Sequence, residues 1–104
     1  MIIRTASENA EVYNTWRKAW LKWHASPAPH RRQQPEPVPN LGDSYVIIYD
    51  TPDEQGYWGH RLEMRLFAVA DSVQEEKAAH DEVRARFIAE MGDRSFEIYR
   101  VMYE

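Results

Sequence analysis

Two strand-like runs between Ser44 and Ala70, separated by a short acidic turn, constrain the fold more than any other stretch of the chain. Tyr45 to Tyr49 is apolar at every position, the pattern of a strand covered on both faces and so interior to a sheet. From Trp58 onward, His60, Leu62, Met64, Leu66 and Ala68 alternate with Gly59, Arg61, Glu63, Arg65, Phe67 and Val69. One face of this second strand therefore belongs to a core, and the other carries a charged row. Between the runs, Pro52 is preset for a turn and Gly56 supplies a positive φ. A lone hairpin is marginal in water, so the rest of the chain must cover it or pair with its edges.

The flanking segments read as that cover. Met1 to Arg4 is a short first strand with two β-branched isoleucines. Thr5 followed by Glu8 is a capping-box pattern, which opens a helix from about Ala6 to His24. At 100° per residue, Val12, Trp16, Ala19, Trp20 and Trp23 share one stripe of it. Ser72 and Glu75 repeat the capping pattern for a second helix that ends at Gly92. Val73, Val83, Phe87 and Met91 form its apolar face, with His80 inside the stripe and Arg84 at its border. Phe96 to Tyr103 alternates as a last strand. Between the first helix and the hairpin, residues 25–43 hold five of the six prolines, a density that forbids helix and ladder alike and predicts an extended, polyproline-like connection.

Leu, Ile, Val and Phe together number only 20 of 104 residues, so the core must draw on the four Trp and six Tyr. The length suits one domain, residues 1–104, with the Pro-rich connection inside it. A net charge of −4 makes nucleic acid an unfavoured partner. The absence of cysteine removes disulfides and thiolate zinc sites, and no run of side chains is long and apolar enough for a membrane span. A soluble, cytoplasmic protein without cofactor or metal is the expectation.

The order β-α-β-β-α-β resembles the ferredoxin-like fold of the α+β class: a four-stranded antiparallel sheet in the order 4-1-3-2, two helices on one face, and here a long Pro-rich loop. The opposite, helix-free face then presents Arg61, Glu63, Arg65, Phe67, Tyr99, Val101 and Tyr103, too apolar to leave wet. A homodimer through that face is the first expectation, with Arg61, Glu63, Arg65, Tyr99 and Tyr103 as interface residues and a further protein partner allowed. The layout is similar to dimeric α+β-barrel proteins. That resemblance implies a small-molecule pocket between helices and sheet, for which His60, His80 and Arg84 are the candidate catalytic residues and Trp16 and Trp20 the candidate lining. The run Gln55 to His60 is also similar to the third-strand motif of RNA-recognition domains. It departs from that motif in having no basic residue before Gly56 and in carrying Trp58 where a small residue belongs. No nucleophile elbow, phosphate loop or calcium loop is present, and Asp50, Asp53 and Glu54 read as turn residues. The leading reading is a binding protein, of the kind that small acidic domains of mobile elements provide, and the second is an enzyme or small-ligand binder of the barrel type.

Overall fold

A computed structural model describes residues 1–27, 36–92 and 94–102. The elements follow the expected order: β1 (Ile2–Thr5), α1 (Ala6–Ala25), β2 (Asp43–Pro52), β3 (Trp58–Val69), α2 (Val73–Met91) and β4 (Phe96–Arg100). The strands form one antiparallel sheet in the order β1-β3-β2-β4. The two hairpin strands are thus its interior. β4 lies beside β2, where the ferredoxin-like arrangement has it beside β1. The lengths account for this difference. β1 has four residues, passes directly into α1, and has its Ile3 carbonyl engaged by Arg86 of α2. The ten-residue β2 offers a longer edge, along which Tyr45 to Tyr49 pair with Phe96 to Arg100.

The register places Tyr45 opposite Leu66, Ile47 opposite Met64 and Tyr49 opposite Leu62, so these side chains share one face. On it α2 lays Ala79, Val83 and Phe87 against Tyr45, Ile47, Tyr49, Leu66 and Ala68, all buried. The Phe87 ring lies 4.6 Å from Phe96 and 5.4 Å from Tyr49, centroid to centroid. Val73, placed on the apolar stripe by sequence, is instead 66% exposed, at the first position of α2.

The core holds no residue of α1, so the expected pair of helices on one face is one helix. α1 buries only Asn9 in its 20 residues. A helix of that length spans about 30 Å, far more than the four-residue β1 from which it departs. Asn9 anchors it: Nδ2 donates to the Leu41 carbonyl at 2.9 Å, and Oδ1 accepts from Arg4. Trp16 Nε1 donates to the Glu36 carbonyl at 2.7 Å. Residues 36–41 therefore run back along α1, which places this part of the Pro-rich connection on its own helix; residues 28–35 of that connection, and Tyr103, lie outside the described residues. The radius of gyration, 18.4 Å, exceeds the roughly 13 Å of a compact chain of this length.

Two local devices complete the frame. At the start of β2, Gly42 has φ of +80°, and a Cβ there would lie 2.4 Å from the Ala68 carbonyl oxygen. At α2, Ser72 accepts from the Glu75 N–H, but the Glu75 carboxylate does not return to Ser72 as a full capping box would. It accepts instead from the Met1 ammonium (2.8 Å) and the Asp71 N–H (2.6 Å). These bonds hold the carboxyl below its ordinary 4.5 and the ammonium above its ordinary 8.0. The carboxylate's contribution to stability is present above pH 4.5 and lost as the pH falls through its lowered folded value; the ammonium's is present below pH 8.0 and lost as the pH rises through its raised folded value. Denaturation midpoints of the wild type should decline at both ends of this window, and Glu75→Gln should lessen both declines. Equal pH profiles for the two proteins would rule out this ion pair as their source.

Candidate functional site

Three surfaces carry side chains that the core does not use. The first is the sheet face turned away from α2, a face that α1 meets only at the β1 end. Alternation along the register brings Arg61, Glu63, Arg65 and Phe67 of β3 to it, with Val46 and Ile48 of β2 and Glu97 and Tyr99 of β4. Four of the expected interface residues, Arg61, Glu63, Arg65 and Tyr99, therefore do share one face. Their charges are matched locally: Arg61 Nε donates to Asp50 Oδ1 at 3.1 Å, and Arg65 lies 3.8 Å from Glu63. The Tyr99 hydroxyl donates to the Glu97 carboxylate, which pushes the phenol above its usual range. Between these pairs Val46, Ile48 and Phe67 are half-buried, while Tyr99 is 51% exposed. The face is a shallow apolar strip bordered by self-neutralised charge.

The second surface is the aromatic side of α1. Tyr13, Trp16, Trp20 and His24 follow at helical spacing, with ring centroids 5.8, 6.5 and 4.9 Å apart in turn. Trp20 and Leu21 are exposed, and Trp16 is half-buried under the returning segment. Trp16 and Trp20 thus form part of a ladder along α1, apart from the core between α2 and the sheet. The core between α2 and the sheet is filled, with Phe87, Ile47, Leu66 and Val83 all at 0% exposure.

The third surface lies where α2 overhangs β4. His80, Arg84, Arg94, Ser95, Phe96 and Ile98 line a concavity of about 400 Å³. It adjoins a second of about 510 Å³, lined by Tyr45, Val73, Glu76, Lys77, His80 and Arg100. The capped start of α2 sets the phase that turns Val83 and Phe87 inward, and the same phase puts His80 and Arg84, one turn apart, on the side toward β4. His80 is exposed, not within the core stripe as its spacing suggested, with its ring edge-on to Tyr45 at 6.4 Å. Burial pushes the Tyr45 phenol up, against the opposing pull of Arg100. His60 is in neither concavity. It lines a separate one of about 600 Å³ at the hairpin end with Thr51, Pro52, Asp53, Glu54, Gln55 and Leu62. The candidate catalytic residues His60 and His80 are therefore in different concavities.

Asp53 Oδ1 accepts from the N–H groups of Gln55 and Tyr57, so this acidic residue serves the turn. Among the described residues no group of three acidic or histidine side chains is placed to hold a metal, and no helix is long and apolar enough to cross a membrane. Sequence reasoning missed Arg94, which follows the helix-ending Gly92 outside any periodic pattern. Its position between that glycine and the first residue of β4 is the one signal that could have directed it to the end of α2. Compared with models of known families, with characterised proteins and with solved structures, the chain matches none.

Proposed function

We propose that this protein acts by binding, as a homodimer that joins through the sheet face turned away from α2 and through α1 with its Pro-rich return. The observation that carries this reading is α1 itself: a 20-residue helix with a continuous aromatic ladder and a single buried residue. Such a helix gains little of its stability from propensity and requires packing of its apolar side. The chain leaves 7869 Å² exposed. A compact monomer of this mass exposes roughly 6,100 Å², and a standard interface covers about 800 Å² per partner, so the excess is large enough to supply one. The local matching of Arg61, Glu63 and Arg65 suits a face that is to be covered, because it leaves no lone charge to desolvate.

Sedimentation equilibrium and light scattering at tens of micromolar test the proposal. The expected result is a particle of twice the 12.3 kDa chain mass. Trp20→Ala and Tyr99→Ala, both at exposed positions, should each weaken association about tenfold or more, as loss of a central aromatic contact does. A monomer for the wild type under these conditions would remove the basis of the proposal.

A further inference from the structure

The concavity between α2 and β4 holds a charge arrangement that the dimer reading does not explain. The chain is acidic, with 17 carboxylate side chains against 13 Lys and Arg, and its arginines after Pro39 mostly use that excess. Arg61 is paired with Asp50, Arg65 with Glu63, Arg86 with Glu8 and Glu90, and Arg100 with Asp43 and Glu76. Arg84 and Arg94 differ. Among the described residues no carboxylate lies within 4.0 Å of either, and both line the same concavity beside His80.

Both guanidinium groups are positioned by aromatic rings instead of by anions. Arg84 Cζ lies 6.0 Å from the centroid of Phe96, and Arg94 Cζ lies 5.8 Å from that of Trp58. Arg94 Nε also donates to the Met91 carbonyl at 2.9 Å. A guanidinium over a ring face is held through its π surface, while the N–H donors around its plane stay available. Anchoring of this kind lowers the ordering cost of a later two-donor hydrogen bond to an oxyanion.

We propose that this concavity is a binding site for an anionic ligand, whose carboxylate or phosphate group is taken by Arg84 and Arg94 with His80 at its border. Phe96 and Ile98 give the ligand's attached carbon skeleton an apolar floor. The anion belongs at this end of the groove and not at the adjoining one, where Arg100 is already neutralised by Asp43 and Glu76. The site is built within one chain, so it does not depend on the dimer.

Calorimetric titration of the full chain with pyrophosphate, with citrate and with a tetraglutamate peptide, each against sodium chloride of equal ionic strength, tests the proposal. Tight binding of the first two identifies a free small anion as the source of the group, and preference for the third a peptide side chain. In either case a dissociation constant below the millimolar range is expected. Arg84→Gln and Arg94→Gln should each raise it at least tenfold, and Arg65→Gln, at a paired arginine on the sheet face turned away from α2, should leave it within twofold. Unchanged melting temperatures would show that the variants fold. No binding above the chloride background for any of the three probes, or equal weakening by Arg65→Gln, overturns the site.

Discussion

Phe87→Ala should lower the stability of this protein by about 3–5 kcal/mol, the range for truncating a fully buried aromatic side chain. Phe87 has no exposed surface and stands where three elements meet: α2 carries it, Tyr49 of β2 packs on one side and Phe96 of β4 on the other. The cavity left by its ring would lie beneath the sheet, walled by strands whose hydrogen bonds resist collapse, so relaxation would recover little. For a chain of this length the loss corresponds to a fall in melting temperature of roughly 15 °C or more. Val73→Ala is the matched control on the same helix. Val73 shares the sequence stripe with Phe87 but is exposed, and its truncation should change stability by no more than about 0.5 kcal/mol. Equal effects of the two substitutions in denaturant titrations would mean that the face of α2 assigned to the core is wrong.

Gly42→Ala should be of similar size, about 3 kcal/mol or more, although it adds one methyl group and removes nothing. Two costs combine there. The φ of +80° lies in the left-handed region, where an L side chain costs on the order of 1–2 kcal/mol. The added Cβ would also meet the Ala68 carbonyl oxygen at 2.4 Å and the Val69 Cγ2 at 3.0 Å. The first of these is strand backbone and cannot swing aside as a flexible side chain would. Relief requires Asp43 to move from Ala68, its partner in the β2–β3 ladder. Gly56→Ala separates the two costs, since Gly56 has φ of +88° but nothing within 4 Å of its would-be Cβ. It should show the backbone cost alone, and the difference between the variants in denaturant titrations measures the clash. A Gly42→Ala protein no less stable than Gly56→Ala would exclude the close approach.

The parts of this fold legible in the sequence are those set by neighbours along the chain. Period-two alternation from Met64 to Ala68 fixes which side chains of β3 face the core, whereas Leu62, on the same face, is 42% exposed; the pairing of Tyr45 with Leu66 follows once the turn length is known. The Thr5 and Ser72 caps begin both helices at the expected positions, and Gly92 ends the second. What a helix packs against is a different kind of information. Val12, Trp16, Ala19, Trp20 and Trp23 form the same stripe whether the helix rests on its own sheet or on another surface, and here only Asn9 at its foot is buried. The edge on which β4 docks is likewise undetermined by its own alternation, since it depends on how much free edge β1 and β2 leave. Of the candidate site residues, His80 and Arg84 come together because they are one turn apart, whereas Arg94 joins them through the path of the chain after Gly92 and the ring of Trp58, a contact across the fold that no local pattern encodes.

The order β1-β3-β2-β4 also divides the sheet by the length of chain each pairing must close. β2 and β3 are joined by a turn of a few residues, so their ladder forms with little loss of loop entropy. Ile2 meets Val69, and Arg100 meets Tyr45, only across more than half of the chain. The hairpin is thus a template that can assemble before either edge arrives. The core face needs α2 and β4 for its completion, since Phe87 lies between Tyr49 and Phe96. In kinetic terms the outer strands are late additions with high contact order, and a slow step in folding is expected at their docking, above all at that of β1, whose partner lies further away along the chain.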